Sequence, residues 1–526
     1  MTITAYGTGA YRAAKPNEFV STRAQFDDLQ RQLDTKQRST SYGDLGIDRR
    51  ISLDLNSKIS SLDSLLSGIQ LSGVNLKLQA DAASTFAKLA SDSRNDMRSN
   101  SYVQTSSGRT APQLLAEDKF KQVLDLLSTD VNGRYLFSGK TSDTAPVESF
   151  DTIINGDGAG KAGLKQLIDE RRRADLGSNG LGRLTTGTAG PTTVTLADGD
   201  HDYGFKIGGV SSTGAGVAVT AQTPLPSGSR AAFSLSVTGQ PLPGDKVTVN
   251  LNLPDGTQTQ VTLTARAPGT TGSDADSFEI GADVNATAAN LKTSLEAGLG
   301  KEAKTTLSAA SSQVAAQDFF DGSVNNPPRR VPGPDFENAT APPTKVGASD
   351  TTVIWYKGED GIPPLDKNDP ALDTRTIAPT SARATAIVQL DQGQSTGVGA
   401  RANEGAFRTG LAQFGIMLSE TFPASDPNSQ DRYNAMAERV GDKLGFGGST
   451  QKPAEIITEF GSAQSALSSA KDRHQSTKDY LTTTLSGVEN VTTEEVATQI
   501  LSLQTQLQAS YQVTSMLSKL SLTNYL

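Results

Sequence analysis

Residues 55–90 read LNSKISSLDSLLSGIQLSGVNLKLQADAASTFAKLA. Within this stretch Leu55, Ile59, Leu62, Leu66, Ile69, Gly73, Leu76, Ala80, Ala83, Ala87 and Ala90 follow one another in steps of four and three without a break. That spacing is a heptad seam: a repeat of 3.5 residues keeps one stripe of a helix against a partner helix. Large side chains fill the first half of the seam and alanines the second, which predicts closer helix approach towards Ala90. A helix over residues 51–100 would be ~75 Å long at 1.5 Å per residue.

The same style of spacing continues outward. Upstream, Phe19, Phe26, Leu29 and Leu33 mark a separate helix, parted from the first by the turn formers Ser39-Thr40-Ser41-Tyr42-Gly43-Asp44-Leu45-Gly46. Downstream, Pro112 opens a helix carrying Leu115, Phe120, Val123, Leu124 and Leu127 on one face, with a stop at Asn132-Gly133. Near the other end, Ile456, Phe460, Ala463, Leu467, Ala470, His474, Thr477 and Leu481 again step by four and three. A last helix begins near Thr492, whose spacing to Glu495 is that of a capping box, and its seam runs through Val496, Ile500, Leu503, Leu507, Thr514 and Leu517. His474 on the seam reads as an interhelical polar residue.

The middle differs in kind. From about residue 140 to 381 it is rich in Gly, Thr, Pro and Asp. Val247, Val249, Leu251 and Leu253 alternate with polar residues, Pro254-Asp255-Gly256 turns the chain, and Val261, Leu263 and Ala265 return, which is a hairpin. Thr193-Val194-Thr195-Leu196 and Thr352-Val353-Ile354-Trp355-Tyr356 are further strand candidates, and Ala286–Leu299 a short helix. A lone helix cannot bury an apolar seam. The expected class is therefore α+β: a long antiparallel coiled-coil stem made by both arms, with a β-rich middle inserted. Three parts follow: residues 1–44 with 490–526 as a terminal helical domain, 45–140 with 382–489 as the stem, and 141–381 as the outer insert, with room for two subdomains.

Composition narrows the function. A net charge of -9 argues against a nucleic-acid partner, which needs a basic footprint. Arg171-Arg172-Arg173 reads as a solvated helix end. With no cysteine and only His201 and His474, thiol chemistry, disulfides and multi-histidine metal sites have no material. Asp198-Gly199-Asp200 and Asn155-Gly156-Asp157-Gly158 lack the later Glu of a calcium loop and read as turns. Gly208-Gly209 and Gly214-Ala215-Gly216 lack the Lys-Ser or Lys-Thr of a phosphate loop. No catalytic, metal or cofactor constellation is expected. Nor is membrane insertion, since no apolar run approaches ~20 residues, and the opening MTITAYGTGAYRAAKP lacks a signal-peptide profile.

Three segments carry a family resemblance. The tail Leu501-Ser502-Leu503-Gln504-Thr505-Gln506-Leu507-Gln508-Ala509-Ser510-Tyr511-Gln512, closing on Leu520-Ser521-Leu522-Thr523-Asn524-Tyr525-Leu526, resembles the end of flagellin-family proteins. Arg134-Tyr135-Leu136-Phe137-Ser138-Gly139 and Ala400-Arg401-Ala402-Asn403-Glu404 are similar to segments of the hook-associated protein 3 branch, the hook–filament junction proteins. Residues 36–48 lack the Arg-Leu-Ser-Ser-Gly and Asp-Asp-Ala-Ala-Gly stretches usual in filament flagellins, which favours the junction branch over a divergent filament subunit.

The resemblance implies an extracellular structural subunit of the bacterial flagellum, exported without a cleaved signal through the flagellar export apparatus, with an export chaperone. Its partners would be copies of itself and the hook-side and filament-side proteins. The seam residues above, with Leu520, Leu522 and Tyr525, are the candidate assembly residues. An exposed carbohydrate-binding or adhesin role for the middle is the competing class, and a hydrolase in the insert finds no constellation.

Overall fold

A computed structural model of the chain describes residues 8–99, 102–105, 108–364, 366, 369–374 and 378–520. In chain order the helices are α1 (Thr8–Thr35), α2 (Arg49–Ser99), α3 (Ala111–Leu127), α4 (Phe150–Asn155), α5 (Leu164–Leu176), α6 (Val284–Glu302), α7 (Ser308–Asp321), α8 (Ala348–Thr351), α9 (Gly405–Ser419), α10 (Ser429–Lys443), α11 (Pro453–Glu489) and α12 (Thr493–Leu520). Strands β1 (Asp130–Val131) and β2 (Arg134–Tyr135) follow α3. Between α5 and α6 lie β3 (Thr185–Thr188), β4 (Thr193–Ala197), β5 (Lys206–Ser212), β6 (Val217–Ala221), β7 (Ala232–Val237), β8 (Lys246–Asn252), β9 (Gln258–Arg266) and β10 (Ser277–Glu279). The pair β11 (Ile387–Asp391) and β12 (Gln394–Gly397) precedes α9. The class is α+β with long terminal helices.

The chain forms two contact-defined units. One is Met1–Gly73, Gln389–Gln394 and Ser465–Leu526; the other is Val74–Val388 and Ser395–Gln464. These cuts pass through α2 and α11, whereas the three-part division read from the sequence cuts at turns. The first unit holds α1, the start of α2, the β11–β12 tip, the end of α11 and α12.

In the second unit, two four-stranded sheets have the orders β3-β4-β7-β6 and β10-β9-β8-β5. Alternation builds them: Val247, Val249 and Leu251 of β8 point inward, and β9 answers with Val261, Leu263 and Ala265. The register sets Val249 opposite Val261 across the expected turn. Helix α6, capped by Asp283, packs on strands of both sheets, and its Leu291, Leu295 and Leu299 join a core with Val194, Leu235 and Phe278. The helices α3, α5, α7, α9 and α10 pack among themselves around α7 and α9, and eleven of the fifteen residues of α9 are buried.

Several expectations need correction here. Among the described residues of the middle, strands occupy only 185–279; α5 and α7 are packed helices that its Gly- and Thr-rich composition concealed. Thr352–Tyr356 is no strand: Thr352 makes one isolated bridge to Ala162 and Tyr356 one to Val147. What holds that segment is Trp355, fully buried beside Phe320, with its indole N–H donating to the Phe320 carbonyl at 2.9 Å. Helix α3 stops at Leu127, before Asn132-Gly133. Those two residues, both with positive φ (54° and 76°), instead turn β1 into β2. Leu115 is exposed, and Ala116 takes its place on the buried face.

The three arginines are not a solvated helix end. Arg171 pairs with Asp175 at 2.7 Å, both buried; Arg172 reaches Glu420 at 3.4 Å and Arg173 reaches Glu337 at 2.8 Å. The acidic turns are turns: Asp157 accepts from the Ala159 and Lys161 amides, and Asp198 from those of Ile207, Arg230 and Ala231.

Candidate functional site

The candidate assembly residues divide by burial. On α1, Phe26, Leu29 and Leu33 are half-buried. On α12, Val496 and Leu503 are buried, and Ile500 and Leu507 half-buried. The two helices pack on one another. The C-terminal end of α1 is stitched to the start of α12: Gln37 bridges Asn490, the Arg38 amide donates to the Glu489 carbonyl at 2.8 Å, and that of Val491 to Lys36 at 3.1 Å. Thr492 Oγ1 accepts from the Glu495 amide, which starts α12 as its spacing predicts. The side chains of Phe19, Leu517 and Leu520 lie outside the description, as do Leu522 and Tyr525 altogether.

Beyond Leu507 the described side chains of α12 are open to solvent. Every residue from Gln508 to Met516 is exposed, with Val513 at 56% and Met516 at 62%, and Leu501 stands at 63% on another face. Thr514 belongs to this exposed stretch and turns its hydroxyl back to the Ser510 carbonyl.

The longer seam has a readable register. Within the first unit, Ser52 Oγ donates to Glu489 Oε1, and Lys478 Nζ meets Asp63 Oδ1 at 2.6 Å. Eleven residues up α2 match eleven down α11, so the helices run antiparallel. Eleven residues are close to three full turns, which returns each helix to the same face. Leu55, Ile69 and Leu76 are buried, and Ile59, Leu62 and Leu66 half-buried. On α11, Ile456, Phe460, Leu467 and His474 are buried and Leu481 half-buried.

The seams slip at two places. On α2 the buried positions past Leu76 are Gln79, Ala82, Ala83, Phe86, Ala90, Ser93 and Met97, so Phe86 replaces the expected Ala87 and the tail of the seam is not an all-alanine contact. On α11, Thr477 is exposed and Lys478 takes the half-buried place. His474 on the seam is satisfied by a backbone group: its Nε2 lies 2.6 Å from the Leu390 carbonyl, tying the β11–β12 tip to α11.

In the second unit the two internal resemblance segments meet. Ser138 bridges Arg401, the Gly139 amide donates to the Ala400 carbonyl at 3.1 Å, and that of Ala402 to Phe137 at 2.8 Å. Phe137 stacks edge-on with Phe407 at 5.8 Å, and Phe407 with Phe86 at 5.0 Å. Gly410 lies against Phe86, where a Cβ would stand 2.5 Å from the ring. Gln79 donates to the Leu136 carbonyl at 2.9 Å. Arg401 donates to Thr380 O, while Glu404 accepts from Arg383 at 2.6 Å and from the Arg401 amide at 3.2 Å. Arg383 also reaches Glu459 at 2.8 Å and covers the Phe460 ring at 4.1 Å. Burial pushes the Glu404 carboxyl above the usual range, against the pull of Arg383.

Residues 450–526 match the bacterial flagellin C-terminal helical region. The match supports the flagellin family. No curated protein and no solved structure matches the chain.

The matched residues span all of α11 and α12, so the flagellin-like region is the arm whose residues 508–516 lie exposed. A flagellin-type C-terminal region supports a flagellar structural subunit, an assembly partner of other flagellar subunits, and a place in the extracellular flagellum. Among the described residues no group of three or more His, Asp or Glu could hold a metal, and no helix is long and apolar enough to cross a membrane.

Arg401 and Phe86 are the residues that sequence reasoning undervalued. Arg401 was legible as part of a similar segment, but not as a buried guanidinium.

Proposed function

We propose that the chain is the structural subunit that joins hook to filament in the bacterial flagellum, by helical self-assembly through its terminal helices. The observation carrying this reading is the exposed stretch 508–516 on the flagellin-like arm, with Val513 and Met516 open to solvent. Apolar side chains repeated along an exposed helix gain ~1.5–3 kcal/mol each when a neighbour buries them. Contacts between different patches of neighbouring copies generate open tubes rather than closed rings.

In this reading residues 1–44 with 490–526 line the inner tube, 45–140 with 382–489 form the stem, and 141–381 project outward. The candidate seam residues are the assembly contacts. Export through the flagellar apparatus without a cleaved signal, with a chaperone, belongs to the same proposal. The meeting of residues 134–139 with 400–404 supports the junction branch, because both segments resemble it. The family match favours a second reading, a filament flagellin, because its description is that of flagellin itself.

Immunogold labelling of intact flagella separates them. Label confined to the hook-proximal zone is the expected result; label along the whole filament establishes the second reading, and none on flagella overturns both.

A further inference from the structure

Beside the meeting point of the two segments, the second unit holds a polar cavity of about 560 Å³ that the assembly reading does not use. That volume falls in the range of small-molecule sites. The first turn of α9 opens into it through Gly405, Arg408 and Thr409, and Arg401, Lys443 and Gln451 complete its working wall.

The charges there are unevenly satisfied. Its acids are already engaged: Asp321 by Arg408 at 2.8 Å, and Glu404 and Glu459 by Arg383. The cations have capacity left. Arg401, 4% exposed, gives NH2 to Thr380 O and pairs loosely through NH1 with Glu359 at 3.7 Å, while its Nε has no hydrogen-bond acceptor. Arg408 Nε is buried without an acceptor as well. Lys443 is an exposed cation at the rim with no ion pair among the described residues, and the Ala406 amide is held by Gln451 at 3.4 Å. A buried guanidinium donor without an acceptor costs on the order of 1–3 kcal/mol, which a ligand oxygen would return. Helix N-termini favour negative charge for the same reason.

The geometry points to a binding site for a small oxyanion-bearing molecule, up to the size of an acidic sugar. Its anionic oxygens would face Arg401, Arg408 and the start of α9, and the hydroxyl- and amide-rich wall would take its other oxygens. This site is independent of the terminal seams, so it stands or falls apart from the assembly reading.

Calorimetric titration of the full chain tests it, with inorganic phosphate, glucuronate and glucose as probes. Saturable binding of phosphate or glucuronate is expected below about 10 mM, with glucose at least ten-fold weaker. The double variant Arg408→Gln/Lys443→Gln should keep the wild-type Tm and lose at least ten-fold in affinity. Arg401→Met should lose binding entirely; if it fails to fold, the double variant decides. Tighter glucuronate binding identifies a sugar acid, and equal or tighter phosphate binding a free oxyanion. No binding by either anion, glucose binding as tightly, or an unchanged double variant overturns the proposal.

Discussion

Helices α9 and α12 have the same backbone geometry and opposite situations. In α9 eleven of fifteen residues are buried by the chain's own α3, α7 and α10, so its stability is internal. In α12, described side chains are fully buried only at Val496 and Leu503, and none is covered beyond Leu507. Helical propensity in water cannot hold long exposed turns on its own. One helix is thus covered by the folded chain, whereas residues 508–516 of the other stand exposed, as the assembly reading requires. That contrast separates what the protein is from what it joins.

The strongest way to break the comparison is to delete residues 514–526. The second unit should keep its thermal transition in calorimetry while incorporation into flagella is abolished; normal flagella from such a strain would place assembly elsewhere. The mirror experiment is Phe407→Ala, which removes the ring shared by Phe86 and Phe137. It should cost about 3–5 kcal/mol in denaturant unfolding, where Val513→Ser in α12 should cost less than about 0.5 kcal/mol. A smaller and more pointed effect is expected from Gly410→Ala. Its Cβ would enter the Phe86 ring, and overpacking of that kind costs about 1–3 kcal/mol, although the same change in an exposed helix is stabilising.

The smallest effect concerns pH. Burial pushes the Asp318 carboxyl of α7 up to about 6, against the pull of Arg329 and Arg171. A carboxyl whose folded value is raised favours the protonated native state, so its contribution is greatest below the unfolded value near 4 and is lost as pH rises through about 6. Asp318→Asn should therefore flatten the fall in Tm over that window and raise Tm at pH 7 by a few degrees, about the scale of a 1 kcal/mol change. An unchanged profile would show that Asp318 is ionised at no cost.

The long seams were legible because periodicity depends only on which residues repeat. Their slips were not. A straight helix turns ~20° per heptad relative to a 3.5 repeat; on α2 two consecutive steps of three, Gly73 to Leu76 to Gln79, shift the buried stripe further in the same sense and bring Phe86 onto it. Helix α11 does offset the drift, with two steps of four from Ala470 through His474 to Lys478, and Thr477 falls outside. The hairpin β8–β9 was readable from alternation and turn chemistry. Helices α5 and α7 were not, because their partners come from elsewhere in the chain. The carboxylate partners of Arg171, Arg172 and Arg173 lie 4, 248 and 164 residues away, and Arg401's surroundings are likewise assembled only by the fold.

The tie between Ser52 and Glu489 spans 437 residues. Closing a loop of that length costs roughly 5 kcal/mol of chain entropy beyond a constant. During synthesis, the first helices leave the ribosome long before α11 exists to receive them. The α2–α11 pairing is consequently a late event, closed only after the last helices of the chain have been made.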